Sequence, residues 1–469
     1  MVTRLSASDA SFYRLENTAT PMYVGALSIL RRPRAGLSYE KLLATVEERL
    51  PQIPRYRQKV REVTMGLARP VWIDDRDFDI TYHVRRSALP SPGSDEQLHG
   101  LIARLAQQPL DKSRPLWEMY LVEGLANNRL ALYTKSHQAL VNGMSALEIG
   151  HVMVDRVQHP PPFGEDIWIP RREPGTAELV VGAVADWVAR PVASVGMARS
   201  VLSDVATNAG YLADMGRNVA NLARTVVRGT APSSPLNTTV TRSRRFTVCR
   251  AALTDYRAVH VRYRCTVNDV VLAVVAGALR NWLLSRGEPV APTATVRAMA
   301  PLSVYPDGSV DPPGQGQAIS AVTPLLVDLP VGEPNAVIRL SQIAHATEAH
   351  SASGTAVDAR TIITLSGFAP STLHAMGTRV ATTYSARVFN LLMTNVPGPQ
   401  AQMYIAGTKL LETYAVPPLL YNQVLAIGVT SYNGMVYFGI NADRQAMSDV
   451  DMLPALLAES LDELLEAAK

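Results

Sequence analysis

Lys135-Ser136-His137-Gln138-Ala139-Leu140-Val141-Asn142-Gly143-Met144-Ser145 follows a buried-strand run, Leu130-Ala131-Leu132-Tyr133-Thr134, and its reading decides the rest of the chain. Consecutive side chains leaving a strand point to opposite faces, so His137 and Gln138 meet different surroundings. A carboxamide has two donor hydrogens and one acceptor oxygen but no titration near neutral pH. Gln138 can therefore orient a hydroxyl and cannot take its proton. The His137 imidazole has the chemistry of a base, yet if Gln138 faces a reaction chamber, His137 faces away. Asn142 carries no charge either.

The stretch resembles the H-H-x-x-x-D-G motif of the bacterial wax ester synthase/diacylglycerol acyltransferase family, related to CoA-dependent acyltransferases and condensation domains. Here it reads His137-Gln138-Ala139-Leu140-Val141-Asn142-Gly143. An alcohol attacks a thioester poorly unless its proton is removed during attack, and the resemblance implies that the second motif His does this. The motif Asp, in a tight turn closed by Gly, is implied to pair with a buried Arg. The matching positions are Gln138 and Asn142. Loss of the general base is expected to cost roughly 10²- to 10⁴-fold in rate. A buried Arg without its carboxylate needs another partner, and Arg297 is the candidate for that Arg. For His137 two readings stand: a satisfied, partly buried histidine, or a displaced base.

Other segments carry the same resemblance in the family's order: Ser8 to Phe12, Pro21 to Gly25, Asp77-Phe78-Asp79 with His83-Val84, Arg114-Pro115-Leu116-Trp117-Glu118, Val267-Asn268-Asp269, Arg297 to Val304, and Thr394-Asn395-Val396-Pro397-Gly398-Pro399. The resemblance implies an α/β (α+β) fold of two chloramphenicol-acetyltransferase-like domains, mixed sheets flanked by helices, with a tunnel at their interface. Acyl-CoA would enter from one side, and diacylglycerol or a long-chain alcohol from the other. It implies direct transfer through a tetrahedral intermediate with CoA leaving, without metal, cofactor or covalent enzyme intermediate. The implied catalytic positions are His137, Gln138, Asn142 and Gly143, with Pro115, Leu116, Trp117, Asn268, Asp269, Arg297 and Asn395 near the tunnel. For Pro115 to Trp117, a turn anchored by a buried Trp competes with substrate contact. For Asn268 or Asp269, capping the following helix competes in the same way. Two functions follow: an O-acyltransferase making triacylglycerol or wax ester, of low activity, or a degenerate member that binds acyl-CoA or neutral lipid.

Composition agrees without deciding. A chain of 469 residues exceeds what one core normally supports. With 47% hydrophobic and 18% charged residues it is a folded globular protein, and a net charge of +4 without a Lys/Arg block gives no footprint for nucleic acid. Two cysteines, Cys249 and Cys265, suit a reduced cytosolic setting rather than a disulfide framework. Met1 to Asp9 lacks the apolar core of a signal peptide. The apolar run Val270 to Leu279 ends at Arg280 and reads as a buried helix, too short to span a bilayer. The expected location is cytoplasmic, or peripheral at the inner membrane face or on lipid droplets. There is no G-x-G-x-x-G, Gly-Lys-Ser/Thr loop, H-E-x-x-H or C-x-x-C, and His345 and His350 lie too far apart around a helix to share a metal.

Along the chain, residues 1–158 form the expected first domain. Within it Leu42 to Leu50 and Asp95 to Ala106 read as helices, and Pro70 to Ile73 and Ile80 to Val84 as strands. A Pro-rich connector with amphipathic helices spans 159–240. Its basic, apolar face over Thr176 to Arg228 either packs on the protein or lies on a membrane or lipid droplet. Residues 241–469 form the second domain, with a strand at Arg245 to Cys249, an Asn-Gly hairpin within Val429 to Ile440 and a helix over Leu453 to Ala468.

Overall fold

The structure, a computed structural model, describes residues 3–32, 37–63, 69–141, 149–161, 168–179, 181, 231–302, 323–353 and 388–469. The amphipathic stretch of the connector lies almost wholly outside the described residues, as do Asn142 and Gly143.

In the first half the order is β1 (Thr3–Arg4), α1 (Ala7–Leu15), β2 (Tyr23–Arg31), α2 (Tyr39–Arg49), β3 (Gln58–Arg61) and β4 (Val71–Asp74). Then come α3 (Ile80–His83), β5 (Val84–Ala88), α4 (Asp95–Gln107), β6 (Trp117–Leu125), β7 (Arg129–His137), α5 (Gln138–Val141), α6 (Ile149–Val152) and β8 (Val154–Asp155). The second half runs β9 (Arg244–Ala252), α7 (Leu253–Tyr263), α8 (Val267–Ser285), β10 (Val296–Leu302), β11 (Thr323–Leu329), α9 (Ala336–Ser353) and β12 (Leu391–Pro397). It closes with β13 (Tyr404–Ile405), β14 (Thr408–Val416), β15 (Leu425–Tyr432), β16 (Met435–Asp443) and α10 (Leu453–Ala468).

Among the described residues the strands form two large mixed sheets. One has the order β5-β6-β7-β2-β14-β13-β8 and the other β11-β10-β12-β15-β16-β9, while β1, β4 and β3 form a small third sheet. Among the described residues, two strands cross the division drawn from the sequence at residue 241. β13 and β14 belong to the first sheet, where β14 pairs antiparallel with β2 from Leu410 opposite Leu30 to Val416 opposite Gly25. On its other side β14 meets the second sheet at two glycines, Gly428 and Gly439, which face each other across β15 and β16. A Cβ on Gly439 would lie 1.8 Å from the Ala415 carbonyl oxygen, and one on Gly428 2.7 Å from the Ala415 methyl. The backbones touch there because neither strand carries a side chain.

The strongest local signals give the expected elements. α4 begins with a capping box in which Ser94 and Gln97 satisfy each other's backbone N–H groups. The hairpin turns on Asn433 and Gly434, at φ 46° and 79°. α8 is long and apolar enough to cross a membrane, but it is mostly buried and packs against α7, α9 and α10. Gly277 lets α10 approach it: a Cβ there would meet the Ser460 hydroxyl at 2.1 Å. Cys249 and Cys265 are unpaired. Two expectations are corrected. Ile80 to His83 is a helical turn rather than a strand, because the Asp79 carboxylate accepts from the Thr81 N–H (2.9 Å) and hydroxyl (2.6 Å), and the strand starts only at Val84. The cap of α8 is Thr266, in a capping box completed by Asp269.

Candidate active site

β7 delivers the motif with its backbone held on both sides. The His137 N–H donates to the Leu116 carbonyl (2.9 Å), and the Gln138 N–H donates to the Met22 carbonyl (2.8 Å). The motif therefore starts between two of the other segments singled out in the sequence, Pro21 to Gly25 and Pro115 to Trp117. Upstream, the buried Lys135 Nζ donates to the Leu105 (3.2 Å) and Gln108 (2.6 Å) carbonyls at the end of α4. A cation suits that helix terminus, although burial pushes the Lys135 pKa down.

His137 is fully buried. Its Nδ1 accepts from the Ala139 N–H at 3.0 Å, so the ring proton sits on Nε2, 3.6 Å from Glu16 Oε2. At that length the second contact is electrostatic rather than a fully formed hydrogen bond. Neither ring nitrogen offers a free lone pair to an acceptor alcohol. Glu16, the residue that ends α1, also receives Lys112 Nζ at 2.9 Å and the Tyr23 hydroxyl, and Tyr23 in turn accepts from the Leu110 N–H at 2.8 Å. Burial pushes the Glu16 carboxyl up, but the approach of His137, Lys112 and Tyr23 outweighs it and holds the pKa at about 2. Burial first and Glu16 second raise Tyr23.

Gln138 opens α5 half-buried, and its carboxamide oxygen has no hydrogen-bond partner among the described residues. A carboxamide oxygen can accept from a hydroxyl and cannot remove its proton.

The described chain resumes at Ile149, which is held by Tyr56, itself anchored by Trp117. The Trp117 indole N–H donates to the Tyr56 carbonyl (2.8 Å), and the Tyr56 hydroxyl accepts from the Ile149 N–H (3.0 Å). Pro115, Leu116 and Trp117 are all buried. His83 stacks on Trp117 with ring centroids 4.6 Å apart and on Phe78 at 5.2 Å, and its Nδ1 bonds the Trp117 carbonyl at 2.8 Å. Burial holds the His83 pKa down at about 4. A buried arginine reaches the segment after Ile149. Arg49 Nη2 lies 2.7 and 2.9 Å from the two Asp155 oxygens, and Nη1 lies 3.4 Å from the Val152 carbonyl. Arg297, expected as the buried arginine, sits instead on β10 with Nε 2.6 Å and Nη2 3.0 Å from the Asp328 oxygens of β11. Its backbone places it there: β10 and β11 are antiparallel with Arg297 opposite Asp328.

In the second half the structure brings Asn268 and Asn395 together. Asn268 Oδ1 accepts from Asn395 Nδ2 at 2.8 Å, tying the first turn of α8 to β12. Asn268 Nδ2 is buried without a partner among the described residues. Asp269 is absorbed structurally: one oxygen caps the Thr266 N–H (2.8 Å) and the other accepts the Thr347 hydroxyl (2.7 Å).

Comparison with known proteins places this geometry. The model of the wax ester synthase/diacylglycerol acyltransferase catalytic domain matches residues 5–271, and that of the family's C-terminal domain matches residues 320–465. The chain belongs to the wax ester synthase/diacylglycerol acyltransferase family. It is 74% identical over 265 residues to the probable diacylglycerol O-acyltransferase tgs3 of Mycobacterium tuberculosis, covering 56% of this chain and 98% of that protein. A putative diacylglycerol O-acyltransferase of the same species is 32% identical over 99% of this chain and 90% of its own length. The solved wax ester synthase/diacylglycerol acyltransferase from Marinobacter aquaeolei VT8 superposes with a TM-score of 0.68 at 26% identity, covering 99% of this chain and all of that one. The starter condensation domain of rhizomide synthetase, at 13% identity and a TM-score of 0.56 over 100% of this chain and 94% of that one, shares the fold.

Within the family frame, sequence reasoning missed Glu16, Tyr23, Tyr56 and the Arg49–Asp155 pair. Glu16 sits between two quoted segments, and only a charged residue in the gap between them marked it. Arg49 lies in the expected helix and carried no separate signal.

Proposed function

We propose that the chain is an acyl-CoA-dependent O-acyltransferase that moves an acyl group onto diacylglycerol or a long-chain alcohol, forming triacylglycerol or wax ester, with Gln138 as the residue that orients the acceptor. The observation that carries this reading is the buried carboxamide oxygen of Gln138, unpaired among the described residues, on the first residue of α5, whose N–H is held by the Met22 carbonyl. The acceptor hydroxyl donates to that oxygen, and its own oxygen attacks the thioester carbonyl. The carbon–sulfur bond breaks as the tetrahedral intermediate collapses. The hydroxyl proton passes to the departing sulfur, so that CoA leaves as the free thiol. Alcohol, thioester and carboxamide complete the step, so acyl-CoA enters as substrate and no metal or prosthetic group is required. Without a general base the reaction runs roughly 10²- to 10⁴-fold below that of a histidine-bearing site. The setting we propose is cytoplasmic, peripheral to the inner membrane face or lipid droplets, through the amphipathic stretch over Thr176 to Arg228.

A second reading, a member that binds acyl-CoA or neutral lipid without turnover, is favoured by the burial of His137, whose Nδ1 is taken by the Ala139 N–H and whose Nε2 faces Glu16 at 3.6 Å. Radiolabelled ester formation by wild type beside the Gln138→His/Asn142→Asp double variant separates the two. Slow turnover in wild type with a rise of about 10²-fold or more in the double variant supports the transferase reading. No ester from folded wild type in a sensitive assay refutes it.

A further inference from the structure

A carboxylate at the C-terminal end of a helix faces the negative end of the helix dipole. Glu16 does so at the end of α1 with its side chain 6% exposed, a placement that costs free energy twice over. What it meets accounts for the cost: Lys112, Tyr23 and the Nε2 edge of His137. On the other edge of that ring, Nδ1 accepts from Ala139, one of the N–H groups at the start of α5 that has no partner within the helix. His137 thus caps the helix whose first residue is Gln138. It can do so only while its proton stays on Nε2, because a proton on Nδ1 would face the Ala139 N–H donor to donor.

We propose that Glu16 is a positioning residue for acyl transfer. Its carboxylate selects the Nε2-protonated tautomer of His137, the tautomer caps α5, and the capped helix fixes where the Gln138 carboxamide points. The proposal rests on the acyltransferase reading for its consequence in rate, and on geometry alone for the tautomer.

Two measurements test it. In full-length protein labelled with ¹⁵N histidine, with the His137 signals assigned by loss in His137→Asn, wild type is expected to show Nδ1 bare and Nε2 protonated. Glu16→Met, which fills the space without an acceptor oxygen, should shift the proton toward Nδ1, and Glu16→Gln, which keeps an oxygen, should restore much of the wild-type pattern. An unchanged tautomer in folded Glu16→Met overturns the proposal. The second measurement uses the Gln138→His background. There Glu16→Met should lower kcat about tenfold or more with KM for acyl-CoA nearly unchanged. In a further His137→Asn background, where the carboxamide oxygen accepts from Ala139 in any protonation state, Glu16→Met should cost little more. Equal losses with and without His137 overturn the coupling. A tautomer shift without turnover in any variant counts against the transferase reading and leaves the brace intact.

Discussion

Gly439→Ala should unfold the contact between the two halves. The added methyl would lie 1.8 Å from the Ala415 carbonyl oxygen, more than an ångström inside the 3.0 Å below which something must move. The obstacle is backbone, held in register on β14 against β2, so no rotamer change relieves it. Overpacking costs about 1–3 kcal/mol, and a backbone clash belongs at the upper end, about 3 kcal/mol. At ~2–4 °C per kcal/mol for domains of this size, that is a fall in melting temperature of roughly 6–12 °C. Gly428→Ala meets a different atom, the Ala415 methyl at 2.7 Å, and should cost about 1–2 kcal/mol. Ala415→Gly deletes that methyl but not the carbonyl. It should therefore rescue Gly428→Ala and leave Gly439→Ala as unstable as before. Thermal melts of the three single variants and the two combinations decide the matter. A melting temperature for Gly439→Ala indistinguishable from wild type, or rescue of both glycine variants alike, would refute direct contact of β14 with the second sheet at this point.

Three further outcomes are expected. Trp117→Phe keeps an aromatic ring against His83 but strips the N–H from the Tyr56 carbonyl, a loss of about 1–3 kcal/mol in denaturant titration, and because Tyr56 holds Ile149 it should also slow ester formation. Asp155→Ala removes the carboxylate that forks on buried Arg49 and should cost about 3–5 kcal/mol, read from the same titration. His83 is held near 4, against an ordinary value of 6.5, by burial, so the unfolded chain binds a proton between those values that the folded protein does not. Its contribution to stability is complete above pH 6.5 and is lost as the pH falls to about 4. His83→Phe should flatten that limb of the stability curve, while the loss from Glu16, confined to the interval from about 4.5 down to about 2, should persist.

The sequence carried what short-range chemistry decides. The Asn433-Gly434 turn, the apolar α8 and the β7 run announce themselves within a dozen residues, and the order of the quoted segments identified the family. What it could not carry is partnership. Nothing in Thr408 to Val416 says whether that strand joins its sequence neighbours or the sheet begun by Tyr23, because hydrogen bonds across a sheet are blind to sequence distance. Ile80 to His83 looks extended by its β-branched and aromatic residues, and one carboxylate at Asp79 reverses it. The same limit governs the site: the chemistry of Gln138 was legible from its side chain, whereas the link from Glu16 through His137 to Ala139 exists only once α1 is laid against α5.

The returning strand sets an order on synthesis. When the first half leaves the ribosome, β2 presents a bare row of N–H and C=O groups on the side that β14 will fill, and among the described strands β8 has no neighbour until β13 arrives. Nearly the whole chain must therefore be made before the first sheet can close. Until then the nascent protein exposes an edge open to β-pairing with another chain, so chaperone cover over that interval, and any cut that severs residues 404–416 from the first half, bear directly on whether this protein accumulates as a soluble product.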